Sequence, residues 1–154
     1  MQKIQWDVKR FRQLSIDELF HILQLRIDVF VVEQQCAYPE LDDYDRQKGT
    51  RHLCGWDESR SLITYARILP PGLRFPEVNV GRFVVRKASR GQGIGHQLLG
   101  KALKVIQKTW LGNDMRISAQ DYLQKFYEQY GFVRVSDVYL EDGIPHIEMI
   151  KKPA

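Results

Sequence analysis

The run Arg90-Gly91-Gln92-Gly93-Ile94-Gly95 is the segment whose residue types and spacing point most directly to chemistry. It follows the apolar stretch Gly81-Arg82-Phe83-Val84-Val85-Arg86 and opens a helical pattern of Ile94, Leu98, Ala102, Val105 and Ile106. Glycines let the backbone bend sharply and let a ligand approach with no side chain in the way. The first amides of a helix point outward and carry partial positive charge, so such a corner cradles phosphate, and Arg90 adds a full charge. A Walker loop is excluded, because no Lys-Ser or Lys-Thr follows the last glycine. A dinucleotide fingerprint asks for G-x-G-x-x-G, whereas Gly91, Gly93 and Gly95 alternate, and only one crossover unit is present. The plain alternative is a tight corner with no ligand.

A second set of residues could handle a substrate. Glu33 and Gln34 form a polar pair where the apolar face of the first helix gives out, and a carboxylate there opposes the helix dipole, which hints at a task. Glu33, His52 and His146 are the candidate bases, directly or through water. Arg26 and Arg67 each interrupt an apolar segment, and a buried guanidinium needs a carboxylate. Two accounts stand for them, a structural salt bridge with Glu33 as partner or the capture of a substrate carboxylate. Neither cysteine, Cys36 or Cys54, reads as a nucleophile; both suit small buried positions.

The elements that must position these groups follow from periodicity. Ile4 to Val8 begins as a strand. Ser15-Ile16-Asp17-Glu18 is a capping box with a Leu14/Leu19 staple, and Ile16, Leu19, Leu23, Ile27, Phe30 and Val31 predict the packed face of the first helix. Cys36 to Thr50 reads as a charged loop. His52 to Trp56 and Leu62 to Leu69 predict a hairpin turning at Asp57-Glu58-Ser59-Arg60, and Val78 to Arg86 a further strand. Met115 to Ala119 is a strand, Leu123, Phe126, Tyr127 and Tyr130 mark a short helix, and strands near Phe132 to Val135 and Ile144 to Ile150 complete an α/β sheet between helices.

With 154 residues, 44% hydrophobic, one core and one domain over 1–154 are expected. The net charge of +4 comes from 23 basic residues interleaved with 19 acidic ones, and without a basic stripe no nucleic-acid partner is expected. No run of about 18 apolar residues occurs, and Met1-Gln2-Lys3-Ile4-Gln5-Trp6 carries no leader pattern. A cytoplasmic protein with no membrane partner and no metal is expected, as monomer or homodimer.

Taken together, Arg90-x-x-Gly93-x-Gly95 after Val84-Val85 and Phe126-Tyr127-x-x-x-Gly131-Phe132 resemble the GNAT superfamily of N-acetyltransferases. The segments Leu25-Arg26, Val29-Phe30-Val31-Val32-Glu33-Gln34, Arg51-His52, Tyr65-Ala66-Arg67-Ile68-Leu69, Gly81-Arg82, Ala119-Gln120 and Glu141-Asp142-Gly143-Ile144-Pro145-His146-Ile147 resemble its ElaA-like branch nearly end to end. The resemblance implies a mixed, twisted sheet whose fourth and fifth strands splay to admit acetyl-CoA. It implies backbone contacts from Phe83, Val84 and Val85 to the pantetheine arm and thioester. It places the pyrophosphate on Arg90, Gly91, Gln92, Gly93, Ile94 and Gly95, and Tyr127 at the coenzyme sulfur. Gln120 stands where the family often has asparagine. The expected function is acetyl transfer from acetyl-CoA to an amine of a small molecule or protein, with Tyr127 as acid, Glu33 as base and Arg26, Gln34, Arg67 and His146 toward the acceptor. The alternatives are a non-catalytic acyl-CoA-binding module and, from Arg26-x-x-Val29-Phe30, a relative of the acyl-homoserine lactone synthases.

Overall fold

Ser15 starts the first helix as its sequence predicts: Oγ accepts from the Glu18 amide at 3.0 Å, and Glu18 Oε1 accepts from the Ser15 amide at 2.8 Å. Two amides that a helix start leaves bare are thereby satisfied. In the computed structural model, which describes residues 3–153, this helix is α1, Ile16–Ile27. The leader question at Met1 to Trp6 begins on two residues outside that range. The expected face of α1 needs correction. Ile16 is 89% exposed and Ile27 also faces solvent, while Glu18, Ile22, Leu25, Arg26 and Val29 are buried. These lie on one stripe of a 3.6-residue helix. A reading confined to apolar positions rotates the face, because two inward residues are charged. From α1 the chain widens into a π-helical stretch, Asp28–Glu33, with the Gln34 amide donating to Val29 O at 3.1 Å.

The remaining elements are β1 (Gln5–Lys9), β2 (Arg51–Trp56), β3 (Leu62–Leu69), β4 (Val78–Val85), α2 (Ile94–Thr109), β5 (Met115–Gln120), α3 (Gln124–Glu128), β6 (Val133–Arg134), β7 (Tyr139–Glu141) and β8 (Ile144–Lys151). One sheet runs β1-β2-β3-β4-β5-β8-β6, with β7 also on β8. β4 and β5 pair in parallel and the other neighbours antiparallel. On one face Leu98, Leu99 and Ala102 of α2 pack with Val80, Ile117, Ala119 and Met149. On the other, Ile22, Leu25 and Val29 meet Cys54, Tyr65 and Val84.

Strand β7 has no counterpart in the sequence reading. Its signal is Asp142-Gly143, whose φ values of 50° and 79° are both positive, as a two-residue hairpin turn of the primed type requires. The hairpin sets Tyr139 opposite His146.

The step that shapes the site is a bulge in β4. Tyr65 pairs with Val84 and Arg67 with Gly81, so Arg82 and Phe83 together oppose Ala66. Arg82 takes φ +49° to absorb the extra residue. A bulge bends its strand and reverses side-chain parity beyond it. Val78 and Val80 accordingly face α2 while Val84 faces α1. Pairing of β4 with β5 stops at Val80–Ile117, and the strands part beyond that point, as the resemblance implies.

Candidate active site

The parting strands open a cleft of about 980 Å³, within the range that holds a large organic ligand. Its walls are the unpaired end of β4, the outer end of β5, the start of α2, α3, the π-helical stretch that follows α1 and the β7–β8 hairpin.

At the α2 end, Gly93 caps the helix with φ 76° and Gly91 has φ 79°. Both need a conformation that costs a residue with a Cβ about 1 kcal/mol or more. An added Cβ at either position would meet nothing within 4 Å, so the corner is open. No acidic residue occupies the first turn of α2, and its leading amides keep their positive potential. Ile94 is buried beneath the corner, Gly95 lies 3.8 Å from Phe126 through an added Cβ, and Gln92 is exposed and outside the cleft wall. Arg90 donates from Nε to Val85 O at 3.0 Å and from Nη1 and Nη2 to the two Glu33 oxygens at 2.6 and 3.0 Å. The Arg90 hydrogen bond lowers the Glu33 pKa. Sequence reasoning placed Glu33 with Arg26 or Arg67; the structure pairs it with the arginine of the glycine corner.

Along β4, the Arg86 amide donates to Ile63 O at 2.8 Å and Thr64 Oγ1 donates to Val84 O at 2.8 Å. Peptide groups alternate between neighbours in a ladder. The Val84 peptide therefore faces β3 and the Val85 amide turns to the cleft. Phe83 meets Phe126 and Tyr127 edge-on, with centroids 6.2 and 6.0 Å away. Tyr127 is buried against Phe132 and Phe126 while lining the cleft, and burial pushes its phenol above the usual value.

The opposite end of the cleft gathers Gln34, Cys36, Gln120 and His146. Gln120 and His146 are cross-strand partners. His146 Nδ1 donates to Ile144 O at 2.7 Å, and Nε2 lies 3.4 Å from Glu141. Cys36 Sγ donates to Asp142 O at 3.3 Å, tying the turn after the π-helical stretch to the hairpin tip. Cys54 is fully buried, and burial pushes its thiol well up.

Arg26 and Arg67 stand behind the wall. Each is 1% exposed, and neither lines the cleft. Arg26 donates to Glu40 at 2.6 Å and to Asp45 at 2.7 Å, and Arg67 to Asp42 at 2.6 Å and Asp45 at 2.9 Å. Arg82 adds a bond from Nε to Glu40 at 2.9 Å. The segment expected as a charged loop thus carries buried carboxylates that pin it to the sheet and α1. Burial alone would raise the Asp45 carboxyl, but hydrogen bonds and charge from Arg26 and Arg67 hold it at about 2. His52 belongs to the same cluster. Its Nε2 donates to Asp45 O at 3.0 Å, so Nδ1 accepts from the Tyr65 hydroxyl at 2.7 Å, and burial lowers its pKa to about 4.

Among the described residues no group of His, Cys, Asp and Glu is arranged to hold a metal, and no helix is long and apolar enough to cross a membrane. The family described as Acetyltransferase (GNAT) domain matches residues 24–153. The chain is 41% identical over 149 residues to protein ElaA of Escherichia coli, covering 97% of each; the crystal structure of that protein superposes with a TM-score of 0.92. An acyl-CoA N-acyltransferase from Pseudomonas aeruginosa is 45% identical and superposes at 0.93 over 97% of this chain and 99% of that one. The CoA-dependent acyl-homoserine lactone synthase BjaI, 17% identical, superposes at 0.80 over 99% of this chain and 84% of its own, a likeness of fold alone.

Proposed function

We propose that this chain, which belongs to the GNAT acetyltransferase family, moves an acetyl group from acetyl-CoA to an amine by direct attack, with residues 1–154 acting as one catalytic domain. The observation that carries the reading is the continuity of an open glycine corner at Gly91 and Gly93 with the slot where β4 leaves β5. Acetyl-CoA supplies the activated acyl group. Arg90 and the leading amides of α2 hold its diphosphate, and the β4 edge from Phe83 to Val85 guides the pantetheine arm. Charge that gathers on the thioester oxygen is met by the Val85 amide, a preorganised donor of the kind worth about 3 kcal/mol. Tyr127 stands across the slot with its phenol protonated and serves the departing sulfur. The thiol's pKa of about 8.5 makes that proton worth only about 2 kcal/mol at pH 7.

The acceptor nitrogen makes the larger demand. A lysine-like ammonium costs about 4.6 kcal/mol to deprotonate at pH 7, an α-ammonium about 1 kcal/mol. Gln34, Gln120 and His146 border the space where it would sit. Glu33 has both oxygens on Arg90 and a lowered pKa, so it is a weaker base there and acts first by holding that guanidinium at the mouth of the slot. Arg26 and Arg67 support the wall through their carboxylates.

The test is calorimetric titration with acetyl-CoA, followed by thiol release with a panel of amines and peptides. The wild-type chain should bind, and Gly93→Glu should not, because it sets bulk and negative charge on a left-handed position facing the phosphates. Unchanged affinity in Gly93→Glu would remove the phosphate corner. Binding without release from any acceptor would favour a coenzyme-binding module.

A further inference from the structure

The cleft-side face of β5 and β8 carries a hydrogen-bonded chain with no part in the mechanism above. Met115, Ile117 and Ala119 of β5 are buried toward α2, so Arg116, Ser118 and Gln120 point the other way. Ser118 and Glu148 are cross-strand partners in the β5–β8 ladder. Tyr139, from the β7 strand, joins them, since its hydroxyl is bonded both to Ser118 Oγ and to Glu148 Oε2. Ser118 belongs to the cleft wall. Glu148, its side chain 16% exposed, is the outer end.

The direction of the chain follows from what each group can do. An ionised carboxylate only accepts, and a phenol or alcohol owns one proton. Tyr139 therefore gives its proton to Glu148, accepts from Ser118, and leaves Ser118 Oγ with lone pairs and no proton for the cleft. Two hydroxyls carry the basicity of Glu148 to a wall where a hydrogen-bond donor must come from a ligand.

We infer that Ser118, Tyr139 and Glu148 form the acceptor-side proton path, and that the acceptor is a primary amine of lysine-like basicity which enters as its ammonium ion. This rests on the acetyl-transfer reading. The ammonium N–H bond breaks and its proton joins Ser118 Oγ. The Ser118 hydroxyl proton passes to Tyr139, and the Tyr139 proton to the Glu148 carboxylate. The nitrogen keeps the electron pair with which it attacks, and Glu148, now neutral, returns the proton to solvent. Around Glu148 the carboxylates of Glu77 and Glu141 accompany its own against the one guanidinium of Arg116, and this excess of negative charge suits an acceptor that starts ionised; unlike Glu33, Glu148 gives only one oxygen to its arginine and keeps Oε2 for Tyr139. Arg116 of β5 donates to it at 3.1 Å and to Glu77 at 2.8 Å, and the His146–Glu141 pair lies two residues along β8 and at the end of β7. A path of this kind matters in proportion to basicity, since at pH 7 about one lysine amine in 2,500 is unprotonated against about one α-amine in six.

The experiment uses two probes, an N-acetylated peptide with one lysine and a lysine-free peptide with a free α-amine, across pH 6 to 10. Tyr139→Phe and, as a second interruption, Glu148→Gln should lower kcat/KM for the lysine peptide by about 10²–10³ at pH 7. The α-amine peptide should lose less than about tenfold, and the lysine deficit should shrink as the pH nears about 10. Affinity for acetyl-CoA by calorimetry and melting temperature should hold. Ser118→Ala combined with Tyr139→Phe should cost no more than either alone. Equal losses on both peptides at every pH would overturn the inference, since a structural role acts that way. Turnover of the α-amine peptide alone, or of neither while acetyl-CoA still binds, would overturn it and leave the coenzyme site standing. Failure of the wild-type chain to bind acetyl-CoA would remove the reading beneath it as well.

Discussion

Replacing Glu33 by glutamine separates a strap from a base. The Glu33 carboxylate accepts two bonds from Arg90, at 2.6 and 3.0 Å, and a diphosphate oxygen would compete for the same guanidinium. The side chains are 32% and 40% exposed, so solvent screens the pair to about 0.5–1 kcal/mol. Coenzyme binding must give up that interaction, and Glu33→Gln removes the need. The expected result is acetyl-CoA binding tighter by about two- to fivefold at low salt, from the conversion of 1.4 kcal/mol per tenfold. The gain should fade toward unity at about 1 M salt, where the Debye length is near 3 Å. Glu33 ionises below its ordinary range because Arg90 holds it. The strap is therefore present at neutral pH and is lost only as the pH falls through that lowered value. Calorimetry with acetyl-CoA is the assay, with Arg90→Gln and the double variant beside it. Once Arg90 is gone, Glu33→Gln should change little, because the coupling runs through that pair. A variant that binds no tighter at low salt refutes the strap. Unchanged affinity with kcat lower by about 10² or more would make Glu33 a base instead.

Tyr127→Phe should keep acetyl-CoA affinity within about twofold and lower kcat by about 10- to 30-fold at pH 7, with the deficit closing above about pH 8.5, where a thiolate leaves without a proton; a deficit constant with pH would make the residue purely structural. His52 should make the fold acid-sensitive. Its folded pKa of about 4 lies below its ordinary 6.5, so the unfolded chain takes up a proton first and stability is lost as the pH falls from 6.5 toward 4. That interval is worth about 3 kcal/mol, and urea unfolding of His52→Gln, whose amide can make the same two bonds, should lose that much less between pH 7 and pH 4.

What the sequence made legible is what local chemistry writes into it. The Ser15–Glu18 box, the apolar run from Leu62 to Leu69 that becomes β3 and the alternating glycines after Val85 each act within a few residues, and each sits where expected. The failures share a cause, since they concern partners far apart in the chain. Arg26 and Arg67 signalled buried charge correctly, but their partners Glu40, Asp42 and Asp45 lay in a segment whose mixed charges read as loop. Overlooking that cluster also rotated the face of α1, because Arg26 points inward with the apolar residues. Ser118, Tyr139 and Glu148 carry no signal singly, and only the β7–β8 register brings them together. The Asp142-Gly143 turn was the available clue, for a primed turn between Glu141 and Ile144 fixes a hairpin and puts Tyr139 across from His146. The bulge at Arg82–Phe83 is the hardest case, because no local composition demands it. It accompanies Arg82 Nε reaching Glu40 on one side and Phe83 meeting Tyr127 on the other, faces that an unbulged strand continuing the parity of Val78 and Val80 would exchange. The buried carboxylates that hold Arg26 and Arg67 thus also hold Arg82 at the bend that frees β4 from β5, and the shape of the cleft depends on a charge network that reaches its wall only through Arg82 and Asp42.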